Sequence, residues 1–589
     1  MNRKLTLIFS FIACIAWLPM SAQLTIGGTA PVYDKLTGTY MLTVAEDVFG
    51  HTYHAGVILD DGVTDVMIDG KAVTTDVDFP VIQGDTCYSF VFKKNNVLNQ
   101  STIHFTFLPI MCITGNFTDD YVVAPVDMTL PDGQGVQHYS ARIKKAGAST
   151  NTQWVHKHNY HVKFVDQDGE KTDVSFFGLR NDNHWRLDAG TRDMIRFRNY
   201  AANALWADFA TKPYYADQQP KARSYIRGSH VEMFLNGNYN GFYNLSEFLD
   251  RKQLKLKKYV EHEDPDEDGN DLLSAVDFHG MMWKTSYASP ITLFSAYNDY
   301  SNDNSDSWNG FSLEYPDIDD VCPTDYSIIK NAVKFVARSD DDTFNAQVGD
   351  YFDLPVLVDY YLFLNLVFAI DNAGSNMVYA CYDGAVDKKL TLAVWDLDAT
   401  VGQNFSDNEG YYHAPEIQPE CELDDVPTAM SKFSINRLLQ RVKQVPGFYQ
   451  QVVKRYWQLR SGVLDPDSLV SRYEAIYRRL DAAGAINRET VRWSDTGDIS
   501  HRMLDFPAEF DYLCDWITRR IAHLDACTFA SRKGDVNGDG LVNISDVIQL
   551  IAIVLDNNIV PNVIACDVNS DDGVNVADVV SLINILLLE

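Results

Sequence analysis

The C-terminal end constrains the fold most, because one twelve-residue pattern occurs there twice. The first copy begins at Asp535 and the second at Asp567. Oxygen-bearing side chains fall at positions one, three, five, nine and twelve of each. They are Asp535, Asn537, Asp539, Asn543 and Asp546, then Asp567, Asn569, Asp571, Asn575 and Asp578. A hard dication such as Ca2+ needs a shell of oxygens, and this spacing wraps a short loop around one ion. Position seven would add a backbone carbonyl, from Leu541 and from Gly573. Each loop runs into an apolar stretch with helical spacing, Val547 to Leu555 and Val579 to Leu588. A lone acidic loop is usually a solvated turn; two in-register copies, each feeding a helix, are not explained that way.

The pair resembles a type I dockerin over residues 533–589. The resemblance implies a small α module with paired EF-hand-like calcium loops, which plugs into a cohesin domain on a scaffold or surface protein. It also implies that loop positions ten and eleven set the choice of cohesin. Those fall on Ile544 and Ser545, and on Val576 and Ala577. The second loop departs at position six, where Asp572 stands and the glycine comes one residue late. Asp tolerates a left-handed backbone better than most residues, so the expectation is a weaker second site.

At the other end, Arg3 and Lys4 precede an apolar run, Leu5 to Leu18, closed by the small residues Ser21 and Ala22. That order reads as a secretory signal peptide over 1–22. The run is short for a transmembrane anchor, and no later stretch reaches about 18 consecutive apolar residues. The expectation is a secreted protein, extracellular or held at a cell surface through its dockerin, with no membrane span. Eight cysteines remain after Cys14, none in a CxxC pair, so a zinc ribbon or redox motif lacks support. Disulfides are permitted by export but optional in a long chain. With 81 acidic against 49 basic residues the formal charge is -32. A general nucleic-acid binder needs the opposite balance.

Between these ends lie two regions. Residues 23–105 alternate apolar and polar positions between turn signals, as in Tyr88-Ser89-Phe90-Val91-Phe92. This spacing predicts a small antiparallel β domain. Residues 106–530 begin with strand-like segments (Ile103 to Ile113, Ala141 to Lys144, Tyr160 to Phe164). A helical stretch, Asp193 to Phe209, follows. Asn236-Gly237 between apolar runs predicts a tight hairpin. Past about residue 345 the pattern is mainly helical, with a strand pair around Met377 to Trp395. The acidic run Glu261 to Asp271 reads as a solvated loop, and Asn298 to Asn309 as a surface insertion.

Two motifs here carry chemistry. Asp371-Asn372-Ala373-Gly374-Ser375-Asn376 follows an apolar helical run. An Asp with an Asn five residues later is the spacing of a kinase catalytic loop, where the Asp takes the acceptor proton and the Asn reaches a metal. Further on, Trp395-Asp396-Leu397-Asp398 puts two carboxylates at a strand end, a natural Mg2+ site. The bland alternative is a capped strand and turn. No HExxH or GxSxG element is visible, so hydrolase readings lack support.

With these motifs in this order, residues 106–530 resemble the CotH family of atypical protein kinases. Further segments carry the resemblance: Gly147-Ala148-Ser149-Thr150, Lys157-His158-Asn159-Tyr160, His184-Trp185-Arg186-Leu187, Asp193 to Asn199, Phe234 to Gly237, Tyr243 to Glu247, and Phe506 to Leu524. The resemblance implies an α+β two-lobed kinase-like domain using ATP with Mg2+ or Mn2+. Asp371 would be the catalytic Asp. Asn376 and Asp396 would hold metal, with Asp398 as a second ligand. Lys157 would contact phosphate and Glu247 would be its ion-pair partner. An ordinary strand lysine and a surface helix glutamate are the alternatives. The family's arginine before Gly147 is Ala146 here, so Lys144 or Lys145 would need to compensate.

The expected chain is thus multidomain: an all-β N-terminal domain, a kinase-like domain and a small α dockerin. The expected activity is transfer of the ATP γ-phosphate to Ser or Thr of an acceptor protein whose identity is not specified. Two alternatives stay open: a catalytically silent CotH-like binding or adhesion protein, and a carbohydrate-associated accessory protein docked by the same module.

Overall fold

The computed structural model describes residues 24–588. Excepted are 148–149, 153, 266–270, 301–304, 319–320, 322, 405–412, 495–502, 531–532, 539–540, 557–562 and 572, and the side chains of 263–265, 271–275 and 563–564. The signal-like segment 1–22, Ala148, Ser149, Cys322, Asp539 and Asp572 therefore lie outside the described residues.

The N-terminal region is β-rich. Leu24–Ile26, Tyr53–Leu59 and Asp76–Phe79 form one sheet, in that spatial order. The second sheet has six strands, including Thr39–Thr43, Cys87–Lys94 and Val97–Thr106. Period-two alternation turns Tyr88, Phe90 and Phe92 inward, into a core shared with Phe79 and Phe105. The antiparallel expectation needs one correction: Thr39–Thr43 runs parallel to Val97–Thr106, with Tyr40 opposite Ile103. The two strands are far apart in sequence, and the intervening chain makes the crossover that parallel pairing needs.

Seven strands then close into a barrel: β1 (Ile110–Ile113), β2 (Val122–Thr129), β3 (Val136–Ala146), β4 (Asn159–Val165), β5 (His184–Asp188), β6 (Gly228–Leu235) and β7 (Asn238–Glu247). The spatial order is β1-β2-β3-β4-β5-β7-β6, closed by parallel pairing of β6 with β1. The β6–β7 hairpin turns at Asn236 and Gly237, as expected. Both have left-handed φ, 56° and 79°, which suits Asn-Gly in a turn matching the strand twist.

The helical stretch expected from Asp193 starts later, as α1 (Arg198–Phe209). The Asp193 carboxylate accepts from the backbone N–H of Ile195 and of Arg198, holding 193–197 as a turn. The mainly helical part begins at Ser327, earlier than residue 345. Helix α2 (Leu354–Val367) has nearly every residue buried, the mark of a central helix. Beside it lies a sheet of β8 (Met281–Thr285), β9 (Ser307–Trp308), β10 (Phe311–Tyr315), β11 (Val378–Cys381) and β12 (Thr391–Ala393). The polar stretch 298–309 is not purely surface, because Trp308 is fully buried. The acidic run is not simply a loop: its flanks pair as strands, Val260–Pro265 with Asp271–Asp277.

Two later helices matter below: α3 (Ala485–Trp493) and α4 (Phe506–His523). The chain ends in α5 (Ile544–Leu555) and α6 (Val576–Leu588), packed through Val547, Leu550, Val579 and Leu582. The seven described cysteines after residue 23 are free thiols. Among the described residues, no helix is long and apolar enough to cross a membrane.

Candidate functional site

Asp371 sits in the loop after α2, where Phe368 ends the helix with a left-handed φ. The loop is pinned on several sides. Tyr360 Oη donates to Asn372 O at 2.8 Å, and Asn436 Nδ2 donates to Ala373 O at 2.8 Å. Asn372 Nδ2 donates to Trp395 O at 2.6 Å, tying this loop to the end of β12. The two motifs read from sequence are therefore brought together. Asn376 Nδ2 donates to Asp371 Oδ2 at 2.7 Å. Asn376 and Asp396 both adopt φ near 55°, a conformation that Asn and Asp tolerate better than most residues.

The carboxylates crowd. Burial and the neighbouring Asp396 push the Asp371 carboxyl up to about 6, against the pull of the Asn376 hydrogen bond. Asp398 is raised well above the usual carboxylate range by burial, then by Asp396, Asp188, Asp371 and Asp193. Asp188, at the end of β5, is held by Asn199 Nδ2 at 2.7 Å, and Asn199 Oδ1 also accepts from Leu397 N at 3.0 Å. Asp188 is not singled out by the sequence, and Asn199 only as the end of the Asp193 to Asn199 segment. They lie far along the chain from Asp396, and the packing of β5 and α1 against the chain that follows β12 brings them to it.

Cations face these acids. Arg186 on β5 approaches Asp396 Oδ1 at 3.4 Å and lies over the Trp395 ring at 5.0 Å. Burial opposes its charge, but Asp188, Asp396 and Asp398 outweigh it. Arg186 Nε has no hydrogen-bond partner although it is buried. Across the barrel wall Lys144, His161 and Arg186 stand opposite one another on β3, β4 and β5. Burial, then Arg186, Lys144, Lys163 and Lys284, depress the His161 ring to about 3. In a chain of formal charge -32, this concentration of cations is an exception.

The expected Lys157–Glu247 pair does not form. Lys157 is fully buried, and its ammonium donates to Ala189 O, Phe242 O and Glu489 at 3.1, 2.8 and 2.8 Å. An ammonium has three hydrogens, and all three are used. Burial lowers its pKa to about 8, with Glu489 resisting and Arg196 adding to the fall. Glu489 lies on α3 and also accepts from Arg196 Nε at 3.0 Å and Phe242 N at 3.2 Å. Glu247 is buried elsewhere and pairs with Arg227 at 2.8 Å. The strand register sets Glu247 opposite Trp185, away from Ala189 and Phe242 where Lys157 lies, and α3 packs there instead. As it stands, Lys157 has no hydrogen left for a phosphate. The local sequence could not reveal Glu489, since its partner lies 332 residues away.

The C-terminal loops are near copies in space. Asp546 accepts from Asn537 N at 2.9 Å and Asn543 N at 2.8 Å. Asp578 accepts from Asn569 N at 3.1 Å and Asn575 N at 2.9 Å. Both position-twelve carboxylates are buried at the loop centre. Position four is left-handed in both loops, at Gly538 and Ser570. Asp567, Asp571 and Asp578 offer ligand oxygens within 4.8 Å of one another. Among the described residues no other carboxylate trio is as close, so Asp371, Asp396 and Asp398 stand further apart. Asp535, Asn537, Leu541 and Asn543 belong to the first loop and Gly573 to the second; Asp539, the expected fifth position, lies outside the described residues.

A family model described as CotH kinase protein matches residues 143–524. A second, described as dockerin type I domain, matches residues 533–587. No curated protein matches the chain.

Proposed function

The chain belongs to the CotH kinase protein family, and from that premise we propose that it is an exported phosphotransferase held to a cohesin-bearing partner by its dockerin. The reaction is transfer of the ATP γ-phosphate to a Ser or Thr hydroxyl of a protein. The observation that carries this reading is that Asp371, hydrogen-bonded by Asn376, lies near enough to Asp396 and Asp398 for their charges to act on one another, with Arg186 beside Asp396. Carboxylates brought near one another at a cost in pKa suit a divalent cation, and a buried guanidinium with an unbonded Nε suits a phosphate. Asp396, Asp398 and Asn376 would hold Mg2+ or Mn2+, which neutralises charge on the transferring group when bound. Asp371 would orient the acceptor hydroxyl and take its proton. Arg186 would supply the phosphate contact that the saturated Lys157 does not.

In this reading the barrel and the helical part are the two lobes of a kinase-like domain over 106–530. The N-terminal β domain spans 23–105, and residues 1–22 are a cleaved signal. The dockerin implies Ca2+, and its two loops would hold one ion each, through Asp535, Asn537, Asp539, Leu541, Asn543 and Asp546, and through Asp567, Asn569, Asp571, Gly573, Asn575 and Asp578. Ile544, Ser545, Val576 and Ala577 are all exposed, as a cohesin contact requires.

The experiment is phosphate transfer from labelled ATP by the purified protein with Mg2+ or Mn2+, beside Asp371→Ala and Asp396→Ala. Label lost in both variants supports the kinase; label retained in either removes that residue from the site. A second reading, a docked binding protein without catalysis, is favoured by the buried, fully bonded Lys157. It predicts neither label nor nucleotide binding.

A further inference from the structure

Helix α3 is gripped from two sides. Its inward face carries Glu489, which binds Lys157 and Arg196. Its other side meets the N-terminal β region. Gly84 lies against the turn that starts α3, so close that a Cβ on Gly84 would stand 2.2 Å from Gly484 N and 2.3 Å from Ala483 C. Gly84 has no left-handed φ, so its glycine serves close approach and not torsion. Gly484, the residue before α3, has a φ of 72°, and a Cβ there would stand 2.3 Å from Gly84 O. Arg488, next to Glu489, donates to Gly84 O at 3.1 Å and pairs with Glu232 of the barrel. Asn487 reaches Asp85 at 3.4 Å, and Arg479 reaches Glu46 at 3.1 Å. A cavity of about 450 Å³ adjoins this contact, with Gly84, Asp85 and Arg488 in its wall beside Asp34, His104 and Arg492. Gly84 makes the tightest backbone approach to the start of α3.

We propose that the N-terminal β region is a positioning element: seated through Gly84 on the start of α3, it sets where Glu489 meets Lys157 and Arg196. A nine-residue helix has little stability of its own and takes its placement from what packs on it. Lys157 in turn ties Ala189 O, beside Asp188, to Phe242 O of β7. A tilt of α3 would thus reach the carboxylate cluster without touching any residue in it. The catalytic consequence rests on the proposed phosphotransferase reading; the structural one does not.

The test uses the full chain. Lys157 is labelled with an amine-reactive reagent, read by mass spectrometry and normalised to exposed Lys71. Gly84→Ala inserts a methyl into the contact. Gly56→Ala is the control, since its Cβ meets nothing nearer than Thr75 O at 4.0 Å. Gly84→Ala is expected to raise Lys157 labelling about tenfold, and Gly56→Ala to leave it unchanged. Unchanged labelling in Gly84→Ala overturns the proposal. If Gly84→Ala fails to fold, Glu46→Ala with Asp85→Ala removes two exposed links and should raise labelling about threefold; no rise overturns it equally. Where the protein transfers phosphate, Gly84→Ala should lower kcat more than it raises KM for ATP. If the wild type transfers none, the phosphotransferase reading falls while the labelling still decides this one.

Discussion

Replacing Glu489 by Ala should be among the most damaging single changes outside the apolar core. The Glu489 carboxylate accepts from Lys157 Nζ, Arg196 Nε and Phe242 N, at 2.8, 3.0 and 3.2 Å. Glu489 and Lys157 are fully buried and Arg196 nearly so. Truncation leaves two cations and a backbone N–H facing a dry cavity. Breaking a buried pair from one side costs about 3–5 kcal/mol, most of it the uncompensated charge. That is a loss of about two to four decades in the folding equilibrium constant. The assay is urea unfolding of the full chain in saturating Ca2+, followed by tryptophan fluorescence. Lys157→Met with Glu489→Leu removes both charges of the pair, and should be less destabilised than Glu489→Ala alone. Glu247→Ala is the counter-test: it should leave Lys157 as protected from amine labelling as in the wild type. A cost below about 1 kcal/mol for Glu489→Ala would refute the reasoning, because water-exposed pairs behave that way.

Four further outcomes follow from the same geometry. If the phosphotransferase reading holds, Asp371→Ala and Asp396→Ala should each abolish phosphate transfer while the unfolding free energy from urea titration stays within about 1 kcal/mol of the wild type. Arg186→Ala should raise KM for ATP at least tenfold in steady-state kinetics, since Arg186 is buried beside Asp396 with an unbonded Nε; an unchanged KM would remove it from the nucleotide site. A Ca2+ chelator should melt α5 and α6 in far-ultraviolet circular dichroism and release the protein from a cohesin. Asp578→Ala should weaken the second loop's ion and leave two N–H groups unbonded, costing about 1–3 kcal/mol each where water is excluded. The readout is calcium titration calorimetry, with one class of site lost.

The paired dockerin loops were legible because the groups that shape each one lie within twelve residues. The order of donors along the chain is also their order around the loop. The Asn236-Gly237 turn was legible for the same reason, since two left-handed residues decide it locally. The Asp371 and Asn376 pairing was half legible: spacing suggested it, and the hydrogen bond from Asn372 to Trp395 O then placed Asp396 beside it. Helix α1 was read as starting too early because the Asp193 side chain competes for backbone N–H groups, which apolar periodicity does not register.

The sequence by itself determined the elements whose forces act over a few residues: alternating strands, the Asn236-Gly237 turn and the paired oxygen-rich loops. The tertiary structure alone decided which charge answers which. Lys157 takes Glu489 and not Glu247. Arg186 is left with one weak acid contact, and Asp188 joins the Asp398 cluster. These choices follow from strand register and the packing of helices, which bring together groups hundreds of residues apart. In a dry interior a charge must find a partner at contact distance, and only the folded chain fixes which partner is there.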